Sequence, residues 1–179
     1  MIFDDTPLIF KKEFKGVQVS NEDLKKINIW TDEPSESAIF TGEPGRGKSH
    51  AAFVIAKQTS IIIRKKFPDF YYQDNFCFCV LSELNQYWVS HVTESYEMLR
   101  RLINVTCLVI DDLGVRSPSE GFLDFLYAII NGRINNKSPT IYTTNLNSKE
   151  INSLYGPRMV SRIYSGLKIE FTGKDLRLK

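Results

Sequence analysis

The sequence predicts an α/β fold, a mostly parallel sheet covered by helices on both faces. Three observations lead there. Short apolar runs alternate with longer segments in which apolar residues recur at helical spacing. A glycine-rich turn joins the first strand-like run to an alanine-rich stretch without breakers. Polar or acidic residues close the runs, at the strand ends where open parallel sheets bind ligands.

Taken in order, Ser20 reads as a helix N-cap, with Asp23 at the capping-box position and Val19 and Leu24 as the staple. Leu24, Ile27 and Trp30 then line the buried side of that helix. After a loop at 33–37, residues 38–40 begin a buried strand. Residues 49–58 read as a helix, 76–81 as a strand, and 83–89 and 94–103 as helices. A strand at 107–110 follows. Residues 120–134 carry Phe122, Phe125, Leu126, Ile129 and Ile130 at helical spacing. A strand at 139–142, short helices at 148–155 and 157–164, and a last strand at 167–171 complete the chain. No internal repeat or low-complexity segment interrupts it.

At 179 residues the chain fits one domain able to bury a substantial core. No apolar run approaches the roughly 18 residues of a membrane span, so no membrane partner is expected. The first residues carry Asp4 and Asp5 and lack the basic-then-apolar order of a signal peptide, which predicts a cytoplasmic address. Cys77, Cys79 and Cys107 are an odd set inside apolar runs, and His50 and His91 stand isolated. Buried thiols, not zinc ligands, are the expectation. The net charge of +2 announces no nucleic-acid partner, although basic residues cluster locally.

The chemistry concentrates in four places. Gly42, Glu43, Pro44, Gly45, Arg46, Gly47, Lys48 and Ser49 match G-x-x-x-x-G-K-S between a strand and a helix. Backbone amides of such a P-loop wrap phosphates, Lys48 neutralises them, and the Ser49 hydroxyl ligates magnesium. ATP and Mg2+ are therefore expected. Asp111 and Asp112 end the strand at 107–110; Asp111 is assigned to magnesium and Asp112 to polarising the attacking water. Thr143, Thr144 and Asn145 end the next strand, with Asn145 best placed to orient that water. Arg158 and Arg162, at i and i+4, are either a solvated basic face or an arginine finger for a neighbouring subunit.

Together these segments resemble the AAA+ ATPases of the DnaC and IstB type, bacterial helicase loaders and transposition helper ATPases. The resemblance runs from about Phe14 to Lys179. It rests on the P-loop through His50, on Leu108-Val-Ile-Asp-Asp-Leu-Gly114 and on Pro139-Thr-Ile-Tyr-Thr-Thr-Asn-Leu146. Tyr155-Gly-Pro-Arg-Met-Val-Ser-Arg162 and Phe171-Thr-Gly-Lys-Asp-Leu-Arg177 complete it. It implies a three-layer α/β/α P-loop core at 14–179 without a small C-terminal lid, and so no second sensor arginine. It makes Asn145 the first sensor, Arg162 the finger and His50 part of the nucleotide-binding segment. Pro157 stands where the family usually has an acid. Only residues 1–13 precede the core, where helicase-loading members usually carry a further domain.

The function the resemblance implies is an ATP-switched homo-oligomer that acts in DNA replication on single-stranded DNA and a replicative hexameric helicase. The alternative is an IstB-like ATPase assisting a transposase on duplex DNA. A metabolite kinase would need an arginine-rich lid, for which the sequence offers no candidate. Two segments are basic and aromatic enough to meet DNA. One holds Tyr87, Trp88, Tyr96, Arg100 and Arg101; the other holds Arg64, Lys65, Lys66, Phe67, Tyr71 and Tyr72.

Overall fold

The computed structural model describes residues 19–34, 36–68, 76–114 and 118–177. Five strands, β1 (Ala38–Thr41), β2 (Phe76–Val80), β3 (Cys107–Leu113), β4 (Thr140–Thr144) and β5 (Leu167–Glu170), form one sheet. Their order is β2-β3-β4-β1-β5, and every pairing is parallel. Helix α1 (Asn21–Asp32) precedes β1; parallel neighbours need crossovers, and α2 (Lys48–Lys66), α3 (Leu81–Ser90), α4 (Ser95–Asn104), α5 (Glu120–Asn135) and α6 (Ser148–Ile163) supply them. The expected N-terminal segment 1–13 lies outside the described residues.

The strands read as continuous apolar runs because both faces of the sheet are covered. Successive residues of β3 feed two cores. Leu108 and Ile110 join the cluster under α3 to α6, and Cys107 and Val109 join the one under α1 and α2. Ile39 and Tyr142 likewise face the first cluster, and Phe40 and Ile141 the second. The three cysteines are buried free thiols, as their surroundings predict. Burial pushes the Cys107 thiol up to about 12. Among the described residues, no helix is long and apolar enough to cross a membrane.

Every element expected between residues 20 and 171 is present, with informative shifts. Ser20 caps α1 by accepting from the Asp23 amide at 3.0 Å. Leu24, however, stays 39% exposed, because α1 meets the core through its second half, at Ile27, Trp30 and Thr31. Helix α2 continues past residue 58 to Lys66, so Arg64, Lys65 and Lys66 form its last turn. Strand β3 extends through both acids to Leu113. The two short helices expected at 148–155 and 157–164 meet at Gly156, whose φ of 76 and ψ of 164 are not helical, so α6 is two helices joined at a kink before Pro157.

One buried cation ties the amino edge of this sheet together. Arg133 is 1% exposed at the end of α5. Its guanidinium donates to the carbonyls of Leu102 (2.8 Å), Ile103 (3.1 Å), Val105 (2.9 Å) and Pro139 (2.7 Å) and to the Thr140 hydroxyl (2.8 Å). These acceptors close α4 and open β4, so one side chain saturates the carbonyls that both crossovers leave over. Arg133→Met keeps the stem and leaves the carbonyls unpaired. We expect a loss of at least about 3 kcal/mol in urea denaturation, since each orphaned buried acceptor costs about 1–3 kcal/mol. A loss under about 1 kcal/mol would mean that water replaces the guanidinium.

Candidate functional site

The site is assembled at the carboxyl ends of β1, β3 and β4. The β1–β4 register pairs Phe40 with Thr143, so the loop leaving β1 starts beside the last residues of β4. That loop, 42–47, turns into α2 through Gly47, whose φ of 85 is a left-handed helix entry open to glycine. Glu43 and Pro44 stand exposed at its tip. Arg46 donates to the Glu43 carboxylate and to the Gly173 carbonyl. Helix α2 has no acid in its first turn, which keeps its amino end open to anions.

Lys48 is 7% exposed and bends back over the loop. Its ammonium donates to the carbonyls of Gly42 (2.7 Å) and Glu43 (2.8 Å) and to Asn145 Oδ1 (2.6 Å). Burial pulls this amine below its ordinary value, against the attraction of Asp111 and Asp112. Asn145 spans cation and acid, because its Nδ2 donates to Asp112 Oδ1 at 3.3 Å.

The two acids differ in environment. Asp111 is buried; it accepts from the Thr143 hydroxyl at 2.5 Å and is hydrogen-bonded to Ser49. Burial raises its proton affinity, and the hydrogen bonds from Thr143 and Ser49 oppose that rise. Asp112 is only half-buried, and burial also raises it, against Lys48. Its backbone is left-handed, with φ 62, at a break in the β3–β4 register between Ile110 and Leu113. Such a conformation costs on the order of 1–3 kcal/mol for a residue with a side chain. It is held from β4: the Asp112 amide donates to Thr143 Oγ1 at 2.9 Å, and the Thr144 hydroxyl donates to the Leu113 carbonyl at 2.7 Å.

From sequence these threonines were the polar end of a strand and had no role of their own. A signal was there: two consecutive strand residues point to opposite faces, so two threonines in a buried strand both need partners.

Ser49 and Asp111 fit magnesium. A hydroxyl beside one carboxylate is a hard oxygen pair, and magnesium is commonly held by one or two such ligands together with phosphate and water. Lys48, Ser49, Asp111, Asp112 and Asn145 are thus brought together as expected. His50 lies in the first turn of α2, and burial pulls its imidazole down, favouring the neutral ring.

The remaining candidates lie elsewhere. Arg162 packs on its own α5, over the Tyr127 ring at 4.8 Å and donating to Asn131 Oδ1 at 3.2 Å; it also donates to the Arg158 carbonyl. Arg158 is exposed. Trp88 is half-buried, with its ring 5.8 Å from Phe122 and 6.0 Å from Phe125. Arg100 is exposed and Arg101 half-buried near the end of α4, three residues before β3 begins. Arg64 and Lys65 are exposed at the end of α2, whereas Lys66 donates to the Asp32 carbonyl at 2.6 Å. Both basic groups therefore stand at the amino edge of the sheet, away from the phosphate loop. Tyr71 and Tyr72 lie outside the described residues.

Fold and site together define a P-loop nucleotide-binding domain of the AAA+ type. The chain belongs to the family of IstB-like ATP binding proteins, whose model matches residues 13–164. It is similar to the replicative helicase loader DnaC of Escherichia coli (strain K12), 31% identical over 130 residues. That match covers 73% of this chain and 51% of the relative, so the chain spans about half the length of that protein. The crystal structure of the DnaC helicase loader superposes with a TM-score of 0.67 at 27% identity, covering 85% of this chain and 89% of that one. The DnaI crystal structure gives 0.71 at 17% identity, over 92% and 93%, and so shares the fold.

Thr143→Val tests the hydroxyl that holds both acids. Removing such a supporting group around a metal ligand typically costs about 10- to 100-fold in affinity. We expect that loss in magnesium-dependent nucleotide binding by calorimetry, with much less change when magnesium is omitted. An equal loss in both conditions would show that Thr143 acts on the fold instead.

Proposed function

We propose that this chain is the ATP-hydrolysing core of a DnaC-like helicase loader, switched between states by binding and hydrolysis. The observation that carries this reading is the continuous hydrogen-bonded set Lys48–Asn145–Asp112 beside Ser49–Asp111–Thr143, on a fold similar to that of the DnaC loader. Backbone amides of 42–50, Pro44 excepted, and the ammonium of Lys48 hold the phosphates. Ser49 and Asp111 would hold magnesium, which neutralises phosphate oxygens when bound. Asp112 accepts the proton of the attacking water, a role its raised proton affinity favours. Asn145 orients that water.

Arg162 serves a neighbouring subunit. Its hydrogen bond and ring contact lie on α5, away from its own phosphate loop, which fits a finger reaching across a homo-oligomer formed with ATP. Arg162→Ala should leave nucleotide affinity near parental and lower assembled turnover by on the order of 10³-fold. Mixing decides the geometry. Asp112→Asn protein, inactive but carrying Arg162, should restore hydrolysis by Arg162→Ala protein. No recovery at any mixing ratio would place the finger in its own subunit.

The partners are a replicative hexameric helicase and single-stranded DNA. Arg100 and Arg101, with Arg64 and Lys65 as the second surface, are the cations available for phosphates. ATP should promote single-strand binding, with log affinity falling against log salt by about 0.7 per phosphate neutralised. Replacing Arg100 and Arg101 with Gln should flatten that slope by roughly one to two. An unchanged slope would move the contact to Arg64 and Lys65. A helper ATPase for a transposase would share every residue of the site. Preference for duplex DNA, with no ATP-dependent capture of purified helicase, would favour that reading instead.

A further inference from the structure

Beyond β5 the chain lies along the phosphate loop. The Phe171 amide donates to the Thr41 carbonyl at 2.8 Å, and the Phe171 ring packs on Phe40 with centroids 5.1 Å apart. The Gly173 carbonyl accepts from Arg46, and the Leu176 amide donates to the Gly45 carbonyl at 2.9 Å. Asp175 abuts Gly45 so closely that a Cβ there would overlap its carboxylate. The loop is therefore latched where it leaves β1 and at Gly45 and Arg46 by a segment more than 120 residues away in sequence.

This strap brings a second pair of charges to the phosphate loop. Arg177 holds Asp175 through its own amide (2.9 Å), through Nε on one carboxylate oxygen (3.2 Å) and through a terminal nitrogen on the other (3.2 Å). Asp175 retains 27% side-chain exposure and Arg177 66%, so the guanidinium is free to exchange partners without exposing a core. A carboxylate against a loop whose amides attract anions is unfavourable once a polyphosphate arrives, and an adjacent guanidinium is the natural counter-charge.

We propose that residues 171–177 are a nucleotide-responsive strap of the same subunit, in which Arg177 leaves Asp175 to bind the polyphosphate. The inference rests on the ATP-site reading given above and adds a binding residue to that site. Asp175 then acts as a built-in competitor, setting nucleotide affinity lower than the loop alone would give. Arg177 would then report phosphate occupancy from a segment outside the P-loop.

Calorimetric titration of ATP into the full chain and its Asp175→Asn, Arg177→Gln and Lys48→Ala variants tests this. We expect Arg177→Gln to weaken ATP about three- to tenfold, the loss of one partly exposed charge-assisted contact. Asp175→Asn should tighten it by about the same factor, and AMP should respond to neither change. Parental affinity in Arg177→Gln, with Lys48→Ala no longer binding, overturns the strap and leaves the ATP site standing. Parental affinity in Lys48→Ala overturns the site and the strap together. Equal weakening by Arg177→Gln and Asp175→Asn, with lowered melting temperatures for both, overturns the exchange, because it makes the pair a structural latch.

Discussion

One hydroxyl organises the candidate site. Thr143 donates to the Asp111 carboxylate and accepts from the Asp112 amide, so a single atom on β4 fixes the last two acidic residues of β3. The first bond orients a buried carboxylate toward Ser49. The second holds Asp112 in a left-handed backbone that an ordinary strand would not adopt. The resulting register break separates the two acids into different surroundings, one buried against Ser49 and one turned toward Asn145. Two adjacent carboxylates on a regular strand would point to opposite faces of the sheet. Here the break allows both to serve one site.

The sheet divides its labour along the strand direction. At the amino edge, Arg133 donates to backbone carbonyls of α4 and of the turns before β3 and β4, and to the Thr140 hydroxyl on β4, so its hydrogens are used inside the fold. At the carboxyl edge, Lys48 has the same kind of surroundings, carbonyls and an amide, but at a loop open to anions. Phosphate oxygens are stronger acceptors than carbonyls, so the Lys48 bonds are replaceable in a way those of Arg133 are not. Two buried cations of similar burial thus differ in role because of what can reach them.

What could be read from the sequence follows the distance over which each feature is encoded. The P-loop is eight contiguous residues, and the strands are contiguous apolar runs, so both were legible. Asp111 and Asp112 were legible because a buried strand ends on them. The contacts of Thr143, Arg133 and residues 171–177 were not, since they join residues about 30 to more than 120 positions apart. Arg133 drew no expectation, because helical spacing was read from the apolar residues alone. The packing of Trp88 against Phe122 and Phe125 was out of reach too, since it joins α3 to a helix distant in sequence. Leu24 failed for a related reason: helical spacing predicts a stripe but not how far along the helix the core extends.

Asn145 shows why an amide belongs at the centre of this arrangement. Its oxygen faces the ammonium of Lys48 and its nitrogen faces the carboxylate of Asp112, so each half of the group meets the partner of matching polarity. An aspartate of the same size would keep the contact to Lys48 but set a third carboxylate against Asp112, with no proton to offer. A leucine would strip both partners while leaving Lys48 buried. Only a group that accepts at one end and donates at the other can couple the cation to the acid without adding charge. That coupling lets a change at the phosphate-facing ammonium be felt at the carboxylate proposed to act on water.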